Sequence, residues 1–320
     1  MKEAGKQRMK AELFFKHPAG IAAAAIGSTL LWGSAIPMIK VGYALMDIAP
    51  GDMLKQVLFA GYRFTLGGLM ILFLMVLLGQ SLAIVPKSIG MVCAIGGVQT
   101  FMQYVVFYIG LSSSTGTFGS IAAGAISFFQ LLLAHFLLKG DRLNARKLTG
   151  MLLGFLGLVL LSMKGGGALL HFGAGELLLL IAAFCAACGN ILSKLGSQRL
   201  SVFYMNGYQM LLGGIGLTVV GLFNGHWMPF ELSAAGIAIL VYLAFVSAAG
   251  FVLWNLVLKY NSVGSISMFL FFIPVFGVLW SMLLLDEKLS YTVILSLGLV
   301  STGIILINRT RQTAAATKEQ

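Results

Sequence analysis

The sequence predicts an all-α integral membrane protein whose ten transmembrane helices form two inverted five-helix repeats around a central cavity. Three observations carry that expectation. The 320 residues are 59% hydrophobic and only 10% charged, against roughly a quarter charged in an ordinary soluble domain. The apolar residues gather in ten runs, each close to the ~20 residues an α-helix needs to cross about 30 Å of hydrocarbon. The chain also repeats itself at an offset of 146 residues.

The spans are expected at Gly20–Lys40, Leu54–Leu78, Ser88–Gly110, Thr115–Leu138, Arg146–Met163, Ala174–Ser193, Val202–Phe223, Ala234–Leu258, Val263–Leu285 and Tyr291–Asn308. The first follows a basic segment, but its apolar run is too long for a signal peptide and further spans come after it. The connections are too short to hold a receptor ectodomain or a catalytic head, so function must sit between the helices. This divides the chain into a basic tail (1–17), a first repeat (18–164), a linker (165–173), a second repeat (174–308) and a closing tail (309–320).

The net charge is +11, and its distribution decides what it means. With the amino terminus in the cytoplasm, sixteen Lys and Arg fall in inner segments and four in outer ones, namely Lys40, Lys55, Lys164 and Lys288. By the positive-inside rule both termini are therefore cytoplasmic. The charge sets orientation in the cell membrane and does not indicate nucleic-acid binding.

In the repeat, Tyr62, Leu66, Gly67 and Gly68 match Tyr208, Leu212, Gly213 and Gly214, and Asp141-Arg142-Leu143 matches Glu287-Lys288-Leu289. Each unit has five spans, an odd number, so the second must enter the membrane from the opposite face. Two such bundles can exchange conformations and expose a central site to each side in turn.

Arg63 is the first candidate for that site. It lies well inside its span, and a cation at mid-membrane costs at least about 2.5–3.5 kcal/mol, so such residues face a cavity or a partner unless they snorkel to the headgroups. The repeat puts Gln209, also a candidate for the site, at the equivalent position. The other candidates are Trp32, Ser34, Tyr62, Gln99, Gln103, Tyr104, Asn190, Tyr208 and Trp254, polar or aromatic groups that are costly to turn toward lipid unless satisfied within the bundle. Together they imply a polar, aromatic-lined cavity. Tyr108 and Trp254 occupy equivalent places in the two units. Pro37 and Pro274 interrupt spans and each frees a backbone carbonyl, so they are candidate gating kinks. Lys40 and Lys194 read as interfacial anchors, and His135 as an interfacial group.

No acidic residue lies deep in any span, so the usual carboxylate of a proton relay is missing. The site should favour neutral, zwitterionic or anionic solutes. Cys185 and Cys188 have a C-x-x-C spacing without a second pair or a flanking His, which reads as small residues on a helix face. The motifs of metalloproteases and serine hydrolases are lacking, and four scattered histidines leave no metal site or cofactor expected. The glycines at G-x-x-x-G spacing read as helix packing within the monomer.

Leu31-Trp32-Gly33-Ser34 with Lys40, Tyr62-Arg63-Phe64, and the stretch from Asn261-Ser262-Val263-Gly264 through Pro274-Val275-Phe276 to Asp286-Glu287-Lys288-Leu289 carry a family likeness. In these motifs the chain resembles the drug/metabolite transporter superfamily, in its ten-helix EamA-type branch. The resemblance implies a cavity formed by the first to fourth and sixth to ninth spans, with the fifth and tenth outside. It implies a carrier of small polar metabolites, with export of amino acids or related solutes expected and uptake or exchange of nucleosides or sugars as the alternative. A membrane structural subunit or a lipid scramblase is the remoter alternative. The expected partners are a small-molecule substrate and membrane lipid, with the chain a monomer or homodimer.

Overall fold

A computed structural model of the chain describes residues 2–49, 51–114, 116–163, 173–231, 233–285, 291, 294–296, 298–303, 305 and 306. The expected linker before Gly173, the connection around Glu287-Lys288-Leu289 and the closing tail lie outside the described residues. A short helix α1 (Lys2–Lys16) leads into α2 (Pro18–Leu45), α3 (Met53–Leu77) and α4 (Pro86–Ser112). Then follow α5 (Gly116–Leu137), α6 (Ala145–Met163), α7 (Ala174–Ser197), α8 (Val202–Gly221), α9 (Ala234–Tyr260) and α10 (Val263–Leu284). A last apolar helix, α11, spans Ile294–Gly303.

Among the described residues, seven helices are long and apolar enough to cross a membrane: α2, α3, α4, α7, α8 with its extension to Asn224, α9 and α10. The other three expected spans correspond to α5, α6 and α11, of which Ala122–Leu137 and Ile294–Gly303 are shorter apolar helices. Local chemistry fixes several ends. Pro18 opens α2 at a position where its missing N–H costs nothing, and His17 accepts from the amide of Ala19. Asp52 and Ser233 cap α3 and α9 by accepting from the amides of Lys55 and Gly236. At the other end of α9, the Lys194 ammonium donates to the carbonyls of Leu258, Lys259 and Asn261 at 2.7, 3.0 and 2.9 Å. Lys194 is thus a C-terminal cap for a neighbouring helix, where a cation complements the helix dipole, and not a headgroup anchor. Methionine at this position should lower the melting temperature in detergent, with a loss of about 1–2 kcal/mol.

Glycine shapes the contact between α3 and α8, the most extensive helix pair among the described residues. Leu58, Gly61, Thr65, Gly68 and Leu72 meet Gly221, Thr218, Gly214, Leu211 and Gly207 in that order, so the two helices run antiparallel. A Cβ on Gly214 would sit 2.4 Å from the Thr65 amide nitrogen, and one on Gly68 would sit 2.7 Å from that of Leu211. Only glycine allows backbones this close, which is how helices gain packing energy in lipid.

The other contacts have the same exchange symmetry. The helix α2 packs against α9 and α10, and α7 packs against α4 and α5. At offset 146, α2 corresponds to α7, α4 to α9 and α5 to α10, so the first helix of each unit lies against the third and fourth of the other. Tyr62 and Tyr208, also equivalent, each donate to a loop carbonyl, Trp227 from α3 and Leu82 from α8. The α6 helix packs on α5 and meets α11, where Gly157 faces Ser296 and Gly303 faces Gly150.

Two spans are irregular. In α4 the stretch Gly96–Met102 is a π-helix, a form that recurs at functional sites. In α10 an α-turn over Val263–Ile266 passes into a 3-10 stretch, Ser267–Phe271, just before Pro274. Proline lacks the amide that would bond the Leu270 carbonyl, and the tighter winding accommodates the loss.

Candidate functional site

The helices of the two units enclose a cavity of about 580 Å³, within the range of small-molecule sites. Its walls come from α2 (Trp32, Ala35, Ile39, Lys40), α3 (Arg63), α4 (Gln99, Gln103, Tyr104, Phe107, Tyr108, Leu111) and α5 (Gly119, Ala122, Ala123, Ile126). The second unit supplies α7 (Leu179, Ala182, Ala183, Ala186, Asn190), α9 (Phe251) and α10 (Leu270, Ile273, Pro274, Gly277, Val278, Ser281). No described residue of α6 or α11 lines it. The alanines of α5 and α7 leave the space, and aromatic rings fill its sides. The cavity extends toward the carboxyl ends of α2 and α4, where Lys40 is exposed.

Arg63 is only 4% exposed, about 15 Å along α3 from Met53 by helix rise. Its Nε donates to Ser247 Oγ at 2.7 Å, and its guanidinium carbon lies 5.0 Å from the centre of the Phe64 ring. The phenols of Tyr43, Tyr104 and Tyr108 are within its electrostatic reach. Among the described residues no carboxylate pairs with it, the ion pairs being Lys16–Glu12, Lys55–Asp52 and Lys147–Asp141. The serine fixes one edge of the guanidinium, leaving a planar donor at the cavity wall.

At the deeper end the π-helical turn of α4 carries Gln99 against Gly189. Gln99 Nε2 donates to Asn190 Oδ1 at 2.8 Å, Asn190 Nδ2 to Gln130 Oε1 at 2.6 Å, and Gln130 Nε2 to Ser267 Oγ at 2.9 Å. Ser193 Oγ completes the chain by donating to Gln99 Oε1 at 3.1 Å. This relay ties α4, α5, α7 and α10 together across both units. Gln130→Leu would take the acceptor from Asn190 Nδ2, while Ser267 keeps its bond to the Val263 carbonyl, costing about 1–3 kcal/mol, and a thermal melt of the variant in detergent checks it.

The structure brings six of the predicted residues to the cavity wall: Trp32, Arg63, Gln99, Gln103, Tyr104 and Asn190, with Pro274 beside them. The others lie elsewhere, each with a local reason. Ser34 bonds the Leu31 carbonyl and the Tyr242 hydroxyl. Tyr62 precedes Arg63 at a helical phase about 100° away and turns to the Trp227 carbonyl, as Tyr208 turns to that of Leu82. Gln209 is fully buried, accepts from Thr100 at 2.7 Å, and its Nε2 has no partner among the described residues. Trp254 is also fully buried, tilted against Trp32 at 5.9 Å, with its Nε1 unpartnered among the described residues. Pro37 is buried in α2 but does not line the cavity. Lys40 does line it, because α2 continues past it to Leu45, so the expected interfacial anchor is a cavity residue. Tyr108 was also readable as a site residue through its match with Trp254; Phe107 and Phe251 carry no signal beyond being aromatic.

Residues 19–163 and 173–309 each match the model of the EamA-like transporter family. The chain belongs to that family. EamA-like proteins are membrane transporters, so this is a multi-pass membrane protein with a small-molecule substrate and not an enzyme. The two matched segments are the duplicated halves of the chain. It is 24% identical over 286 residues, covering 88% of this chain and 94% of the other, to the "Uncharacterized transporter YoaV" of Bacillus subtilis. It is 27% identical over 291 residues, covering 87% and 91%, to a protein of Escherichia coli named "Probable amino-acid metabolite efflux pump". A crystal structure shares the fold with a TM-score of 0.75 at 18% identity, over 92% of this chain and 98% of its own.

Proposed function

We propose that this EamA-like protein is a secondary transporter that exports amino acids or related small polar solutes across the cytoplasmic membrane by alternating access. The observation that carries the reading is Arg63, a buried guanidinium without a carboxylate partner among the described residues, on the wall of a cavity enclosed by both halves. A guanidinium held from one edge suits a carboxylate. In this role Trp32, Gln103 and Tyr104 enclose the solute, Gln99 and Asn190 form the polar floor, and Pro274 with Pro37 supplies the bends about which the walls move. The name of the E. coli relative supports amino-acid export.

Alternating access by exchange of conformations between the two halves needs them inverted. The antiparallel α3–α8 contact supports inversion, because these are equivalent helices and each contact maps onto another when the halves are exchanged. We divide the chain at 18–164 and 174–308, with basic tails of 1–17 and 309–320 and a linker between; the matched segments support the division. The charge asymmetry supports cytoplasmic termini, which makes this an outward-facing conformation. One chain encloses the whole cavity, so the monomer, alone or paired as a homodimer, is the transporting unit.

Gln209 and Trp254 stand at the positions equivalent to Arg63 and Tyr108, which line the cavity. Exchange of the halves gives their stranded polar atoms a hydrated face at the cytoplasmic end. In a Gln209→Cys variant, a thiol reagent should label the cysteine faster during solute turnover than at rest; equal labelling refutes the exchange. Flux in liposomes tests the function itself: labelled amino acid should be carried. Transport of a nucleoside or sugar but of no amino acid overturns the reading.

A further inference from the structure

Resting on the reading of the cavity as the solute site, we propose that its preferred solutes are net anions, carboxylates whose amino group is absent or acylated, over zwitterionic amino acids. Two cationic side chains, Arg63 and Lys40, line the cavity, and no Asp or Glu does among the described residues. Neither cation has a carboxylate partner among the described residues. The cavity is therefore lined with net positive charge, and around the buried Arg63 charge contacts are strong. A carboxylate supplies the counter-charge that both cations lack. A free α-ammonium, two bonds from that carboxylate carbon, is brought beside Arg63 with nothing of opposite charge to meet it, and like-charge contact of this kind is costly.

Neutral acceptors do not replace the missing acid. The carbonyl oxygens of Gln99 and Asn190 already accept from Ser193 and Gln99, and both amides are held in the internal relay. The remaining walls, with the rings of Trp32, Phe107 and Phe251, with Ile273, and with the neutral polar groups of Gln103, Tyr104 and Tyr108, carry no negative charge to balance the two cations. The cavity thus discriminates by charge at one end and by apolar contact along its sides.

The test uses three probes with one body: N-acetylleucine as the anion, leucine as the zwitterion and leucinamide as the cation. Each is titrated against the purified full-length protein in detergent by thermal shift, since a solute that binds the folded form stabilises it. N-acetylleucine should bind about tenfold or more tighter than leucine, and leucinamide should give no shift. Lys40→Gln, at the exposed end of the cavity, should fold normally and reduce the ratio of N-acetylleucine to leucine affinity about threefold. Leucine binding as tightly as N-acetylleucine overturns the anion preference while leaving amino-acid transport intact. A ratio unchanged by Lys40→Gln also overturns it. Binding of a sugar or nucleoside with no response to any leucine probe overturns both.

Discussion

Glutamine in place of Arg63 is expected to weaken solute binding about ten- to a hundredfold, the equivalent of losing a charged hydrogen bond worth ~1.5–3 kcal/mol. The same variant should melt at a higher temperature than the parent when no solute is present. Arg63 is 4% exposed and has no carboxylate partner among the described residues, so its charge is held in the bilayer at a cost that a neutral amide does not incur. Ser247, which accepts from Arg63, keeps its own bond to the Leu243 carbonyl and is not stranded by the change. Solute titration by thermal shift reads both quantities in one experiment. Weaker binding with higher intrinsic stability is the signature of a residue kept for its ligand. Unchanged solute affinity removes Arg63 from the site.

The second large effect is structural. Gly214→Ala places a methyl 2.4 Å from the Thr65 amide nitrogen and 2.9 Å from the Phe64 carbonyl carbon. Both are backbone atoms of α3, so relief requires the helices to separate along the whole seam. Overpacking costs about 1–3 kcal/mol where side chains can yield; here the upper end or beyond is expected, with a large fall in melting temperature. Gly68→Ala should behave alike, since its methyl meets the Leu211 amide at 2.7 Å and the Gly207 carbonyl at 2.8 Å. Gly90→Ala is the control. Nothing lies within 4 Å of that position, and alanine in a helix should be neutral or gain up to about 1 kcal/mol. Equal melting temperatures for all three variants would remove the seam as the basis of the packing.

Much of this was legible in the sequence because membrane spans obey a length rule and a solvation rule at once. The repeat was legible because Tyr62 through Gly68 returns as Tyr208 through Gly214, and Gly68 and Gly214 of these stretches lie in the α3–α8 seam. Arg63, Gln99 and Asn190 could be picked out because polar groups in apolar runs need a reason to be there. Helical phase could not be read. Tyr62 and Arg63 are neighbours in sequence, both costly in lipid, yet one faces the cavity and the other a loop carbonyl. A polar residue that finds a partner inside the bundle, as Ser34 does with Tyr242, looks the same in sequence as one that lines a cavity. Lys40 was placed at an interface because a lysine usually ends a span, whereas α2 runs on to Leu45 beside the cavity.

The π-helical turn of α4 has a consequence for how the protein tolerates deletions. Such a turn winds one more residue into each hydrogen-bonded loop than an α-turn does, and the corresponding stretch of α9 is regular α-helix. Removing Gly97, which has open space on its outer side, would let α4 regain ordinary pitch without breaking the span. Because the wide turn already holds the extra residue, the segments of α4 before and after it would keep nearly the same facing. Gln99, inside that turn, would be re-aimed relative to Asn190 and Ser193. A shortened chain of this kind should still insert and fold, with the loss confined to the polar floor around Gln99.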